Sequence, residues 1–165
     1  MESTYNALEY NKLISFIWSI ADDCLRDVYV RGKYRDVIIP MTLIRRFDAI
    51  IESEKTNIME IKEMAETYNW DVEKTLDTAT GLPFYNTSNF CLKDLKYETN
   101  RQNLKKNFEE YLNGFSENVK EILQKFDFNN QLTKMTDAGI LGSVIEKFTS
   151  SELNLSPYDE RNSNG

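Results

Sequence analysis

Histidine is missing altogether from the 165 residues, and with it the commonest general base and the commonest metal ligand. That excludes Ser-His-Asp and Cys-His nucleophiles and His-ligated zinc, leaving carboxylates, lysine or tyrosine for any chemistry this chain does alone. Thiols come only from Cys24 and Cys91, far apart and neither in a C-x-x-C pair, so no disulfide framework or zinc site is expected and a reducing, cytoplasmic setting is. Six Gly and three Pro are too few for a turn-rich β sandwich or barrel. No uncharged apolar run approaches the roughly 18 residues a membrane span needs. Residues 1–12 lack the basic start and apolar stretch of a targeting segment. The motifs G-x-S-x-G, G-x-x-x-x-G-K, G-x-G-x-x-G and Asp/Asn-Pro-Pro-Tyr/Phe are absent too, so no catalytic, cofactor-binding or metal-ligating residue is nominated.

What is present favours helices. A chain of this length with 41% hydrophobic residues fills one core, burying roughly 70% of its unfolded surface. Leu13, Ile17, Ile20, Cys24 and Val28, flanked by Ile14, Trp18, Ala21 and Leu25, form the apolar face of a first helix; Asp22 and Asp23 belong to its solvated side. Val37–Ile51 is apolar almost throughout and predicts a surrounded helix starting near Asp36, early enough that Pro40 costs little. Its Arg45 and Arg46 either pair with Asp48 or Asp22 or reach a partner surface. Ile58, Ile61, Ala65 and Tyr68 mark a third helix, and Asp71 caps a fourth that stops at Gly81. The aromatic loop Pro83–Phe90 should have partly packed rings. A short helix at Leu92 and Leu95 precedes one through Leu104, Phe108, Tyr111 and Leu112 to Gly114, with Lys105 facing Glu109 and Lys106 facing Glu110. Ser116 is the expected cap of the next, with Val119, Ile122, Leu123 and Phe126, and Asp137 of the last, with Ile140 to Phe148. The fold class is therefore all-α, a compact multi-helix bundle forming a single domain, with Ile17, Ile20, Ile44, Phe47, Phe108, Ile122 and Val144 in its core.

The net charge of −7 speaks against a general nucleic-acid coat, but the charge is uneven. Residues 1–48 carry seven basic and seven acidic groups, 49–92 three and eight, 93–106 five and two, and 107–165 five and ten. Two local patches follow. Arg31, Lys33 and Arg35 alternate with Gly32 and Tyr34 in a connector whose composition suits phosphate contact and stacking on bases, although short basic loops are common and the plainer reading is a solvated loop paired with Asp27 and Asp36. Arg101, Lys105 and Lys106 form the second.

Several segments in register carry a resemblance. Phe16–Asp22, Gly32–Thr42 with Arg45–Asp48, Pro83–Ser88, Leu92–Leu95, Asn107–Ser116, Ile122–Phe128 and Asn154–Pro157 are similar to the N-terminal helical domain of type I restriction-modification methylase subunits, over roughly residues 10–157. The resemblance implies a domain at 1–157, followed by a polar tail or linker at 158–165. It also implies a parent protein that transfers a methyl group from S-adenosylmethionine to the N6 amine of adenine in DNA. The expected partners are DNA, a specificity subunit, a second methylase subunit and, for cleavage, a restriction subunit. In the family an F-x-G-x-G and an Asn-Pro-Pro-Tyr/Phe follow the Asn-Leu-Ser-Pro stretch, so the catalytic half is expected outside this sequence. The resemblance leaves this domain an accessory role, clamping DNA and holding subunits together. The competing reading is a purely protein–protein scaffold. A helix-turn-helix repressor is disfavoured, since Val37–Ile51 is too apolar for a major groove.

Overall fold

The computed structural model describes residues 2–153, with side chains from residue 7 onward; the expected polar tail at 158–165 and the Asn154–Pro157 segment lie outside the described residues. Eight α-helices are described: α1 Glu2–Cys24, α2 Arg35–Ile51, α3 Lys55–Thr67, α4 Val72–Thr80, α5 Arg101–Asn113, α6 Glu117–Lys125, α7 Phe128–Ala138 and α8 Leu141–Phe148. Short 3-10 turns occupy Arg31–Lys33, Glu52–Glu54 and Leu92–Tyr97. The only extended pairing among the described residues is a bridge between Asn86 and Phe115, so the fold is an all-α bundle.

Most of the apolar stripes meet where their periods predict, but Trp18, expected on the apolar face of α1, and Tyr68, expected in the stripe of α3, are exposed. Ile20, Ile44, Phe108 and Val144 are buried, with Ile17 and Phe47 half-buried against them. Ile122 is a correction: Val119 and Leu123 take the buried positions of α6, leaving Ile122 half-exposed outside the cluster. The aromatic loop packs as expected, Phe84 meeting Phe47 edge to face at 4.8 Å. Asn86 is buried there, donating to the Tyr111 carbonyl at 2.8 Å and accepting from Ser88 N at 3.0 Å. Gly114 permits this approach, since a Cβ there would lie 2.6 Å from Ser88 N.

Asp71 accepts from Lys74 N at 3.0 Å, and Gly81 closes α4 at φ 65°, both as predicted. Ser116 stands at the N-cap position of α6 as expected, but its side chain makes no capping bond; its hydroxyl donates to Asn118 at 2.6 Å and accepts from Tyr85 N at 3.3 Å, tying the aromatic loop down. Asp137 lies inside α7, a helix the sequence reading missed, and α8 starts behind Ile140. Pro40 is the sixth residue of α2, beyond the free first-turn amides, so the Asp36 carbonyl loses its usual helical donor.

A polar brace crosses the core. Asp48 on α2 accepts from Leu92 N at 2.9 Å and from Tyr111 on α5, and Arg45 Nη1 lies 3.9 Å from its second oxygen. Arg45 thus takes the internal option. Burial raises the Asp48 carboxyl above the usual carboxylate range despite those two hydrogen bonds and the arginine.

Candidate nucleic-acid interface

The Arg31–Lys33 connector is held at both ends. Tyr29 and Tyr34 on either side are each 5% exposed, and Tyr29 Oη donates to Gln131 Oε1 on α7 at 2.9 Å. Neither ring is therefore available to stack on a base, which corrects the reading of Tyr34 drawn from composition. Between them Arg31, Gly32 and Lys33 are exposed, as is Arg35, the first residue of α2, just beyond Tyr34. Asp27 and Asp36 are not their ion-pair partners: no carboxylate among the described residues pairs with Arg31, Lys33 or Arg35.

Lys33 and Arg35 form one side of an open groove of about 570 Å³, together with Asp36 and Ile39. The other side is the junction of α6 and α7, which brings Lys125 and Lys134 opposite them. The sequence reading missed these two cations because each stands alone in an acidic stretch some hundred positions away. Lys134 Nζ sits 4.3 Å from the centre of the Tyr29 ring, so the tyrosine that anchors the connector also positions a cation. Two carboxylates share the groove. Asp36 forms no ion pair among the described residues, and Asp127, at φ 53°, accepts two side-chain bonds from Asn130 at 2.8 Å. Arg31 lies outside the groove.

The second patch does not join it. Lys105 is engaged by Glu109 at 3.5 Å, as its spacing predicts, whereas Lys106 and Glu110 form no ion pair among the described residues. Arg101 packs its guanidinium over Gly139, the left-handed residue that ends α7, where a Cβ would lie 2.3 Å from Nη2. A cation in that place also suits the negative end of the helix dipole. Arg101 therefore has a structural duty.

The sequence profile of the HsdM N-terminal domain matches residues 13–148. This chain belongs to the HsdM N-terminal domain family. The family is that of the methylase subunit of type I restriction-modification systems, and it gives the domain a general accessory role in methylase assembly. No curated protein and no solved structure matches the chain. The match opens at Leu13, the first half-buried residue of α1 among those whose side chains are described, and closes at Phe148, the last residue of α8. The HsdM domain thus contains both cationic patches and the whole groove.

Proposed function

We propose that this HsdM N-terminal domain lays its groove against the sugar-phosphate backbone of DNA while helping to assemble an adenine-N6 methyltransferase. Its partners in that reading are the specificity subunit, a second methylase subunit and the restriction subunit, in the cytoplasm. One observation carries the DNA contact: Lys33, Arg35, Lys125 and Lys134 converge on one open groove, and none is held by a carboxylate among the described residues. Cations that pair with phosphates release condensed counterions, which supplies affinity without reading sequence. Arg31, outside the groove but two residues before Lys33, adds to the same field. Methyl transfer itself needs a flipped base in a pocket beside the methyl donor, and no residue of this chain is assigned to that step. S-adenosylmethionine belongs to the parent enzyme.

The scaffold reading draws on Asp36 and Asp127, which stand in the same groove, and on the net charge of −7. A salt series on the assembled methylase separates the two. Replacing Lys33, Arg35, Lys125 and Lys134 by alanine should weaken binding to all duplexes alike and lower the salt slope by about one unit per cation. An intact complex with unchanged slope would leave the scaffold reading standing.

A further inference from the structure

The hairpin of α3 and α4 carries a surface that neither DNA contact nor core packing uses. Its buried side, with Ile58 and Leu76, rests on the core, and Glu73 accepts from Tyr85 Oη at 3.2 Å. Its far end is apolar and open: Met64 is 53% exposed, Tyr68 64% and Trp70 52%. The spacing of four sets Met64 beside Tyr68, the residue that closes α3. The Tyr68 and Trp70 rings stack with centroids 5.2 Å apart. The backbone fixes this arrangement, since Tyr68 N donates to the Met64 carbonyl at 3.0 Å and Trp70 N to the Ala65 carbonyl at 2.8 Å, with Asn69 turned to φ 57° between them. A rigid aromatic pair held ready in water loses little rotamer freedom on being covered, as in the anchor residues of protein interfaces.

The charge around this tip defines what covers it. Residues 52–80 hold eight carboxylates against Lys55, Lys62 and Lys74, a net charge of −5. Lys55 is turned inward, its Nζ bonded to Asn86 Oδ1 at 2.9 Å, and Lys62 is taken by Glu66 at 3.8 Å. Glu60 and Glu63 remain exposed on the helix that carries Met64. Such a surface repels a duplex and attracts a cationic one. We propose that the Tyr68–Trp70 tip is a docking site for a partner subunit presenting arginines and lysines around an apolar seat. The docking site would stand apart from the DNA groove.

This rests on the reading of the chain as a methylase assembly domain, and the experiment separates the two. The full-length parent methylase is co-purified with a tagged specificity subunit, as wild type, as Tyr68→Ser with Trp70→Ser, and as Glu60→Lys with Glu63→Lys. All four positions are exposed, and a thermal melt of each variant checks that the fold survives. The expected result is association weakened tenfold or more in both variants, while DNA affinity per assembled complex keeps its salt slope. Association unchanged from wild type in both variants would overturn the docking site and leave the accessory role intact. Normal association with lost DNA affinity would give the tip to DNA and overturn it equally. A wild-type methylase that does not join the specificity subunit would remove the assembly reading itself, and the docking site with it.

Discussion

Tyr111 Oη donates to Asp48 Oδ1 at 2.7 Å across 63 positions of sequence, joining α5 to α2 in the middle of the core. Both side chains are buried, and Asp48 Oδ2 receives no hydrogen bond, only the Arg45 guanidinium at 3.9 Å. The two helices are thus registered by a directional bond as well as by apolar packing, which is non-directional.

Removing the phenol should cost more than its area suggests, because a buried carboxylate loses a donor. Tyr111→Phe is expected to lower the unfolding free energy by about 1.5–3 kcal/mol. Asp48→Ala should cost roughly 3 kcal/mol or more, since Arg45, Leu92 N and Tyr111 Oη then lose their shared acceptor. Urea unfolding followed by circular dichroism measures both; equal and negligible losses would show the brace to be dispensable.

Alkali should find the same place. Burial and then the Asp48 charge hold Tyr111 well above the ordinary tyrosine value, burial lifts Tyr29 to about 12, and burial with Glu73 raises Tyr85. A tyrosine whose folded value is raised stabilises the fold fully below its unfolded value near pH 10, and this is lost as pH rises toward the folded value. Burial raises Cys91 to about 11, with the same sign and an earlier onset. Melting temperature should therefore fall steeply above pH ~10, and less steeply in Tyr111→Phe. A flat profile to pH ~12 would refute the burial of these groups.

Gly114 and Gly32 should answer the same substitution differently. Gly114→Ala would push a Cβ to 2.6 Å from Ser88 N, a backbone atom that cannot swing aside, and is expected to cost about 1–3 kcal/mol. Gly32 has nothing within 4 Å, so Gly32→Ala should stay within about 0.5 kcal/mol of wild type. Paired thermal melts check the contrast.

The carboxylate in the groove gives a prediction of opposite sign to the lysine variants. Asp36 lies among Lys33, Arg35, Lys125 and Lys134, and no cation among the described residues pairs with it. Asp36→Asn should therefore tighten DNA binding by the assembled methylase at low salt, with the gain fading as screening rises. Weaker binding would show that Asp36 itself orients a cation that matters.

Local chemistry alone specified much of the fold. The stripes of α1, α2 and α5, the Asp71 cap and the left-handed Gly81 stop are set by neighbours within a turn or two, so they could be read along the chain. α7 carries its own stripe, Phe128, Leu132 and Met135, and its Gly139 stop, but Asn129, Asn130, Thr133 and Thr136 are weak helix formers that concealed it. Packing against α2 and α5 overrides that weakness.

What only the tertiary structure decided concerns which face of an ambiguous residue meets water. Tyr34 in a basic connector is a stacking platform or a core side chain depending on what packs over it, and the fold packs it away. Asp48 in an apolar helix is a surface charge or a buried acceptor depending on where Leu92 and Tyr111 arrive. The groove has no sequence signature at all, since Lys33 and Arg35 meet Lys125 and Lys134 only because α7 docks through Gln131 onto Tyr29. Periodicity and capping report interactions a few residues long, whereas the position of a charge relative to distant charges is fixed by how helices pack.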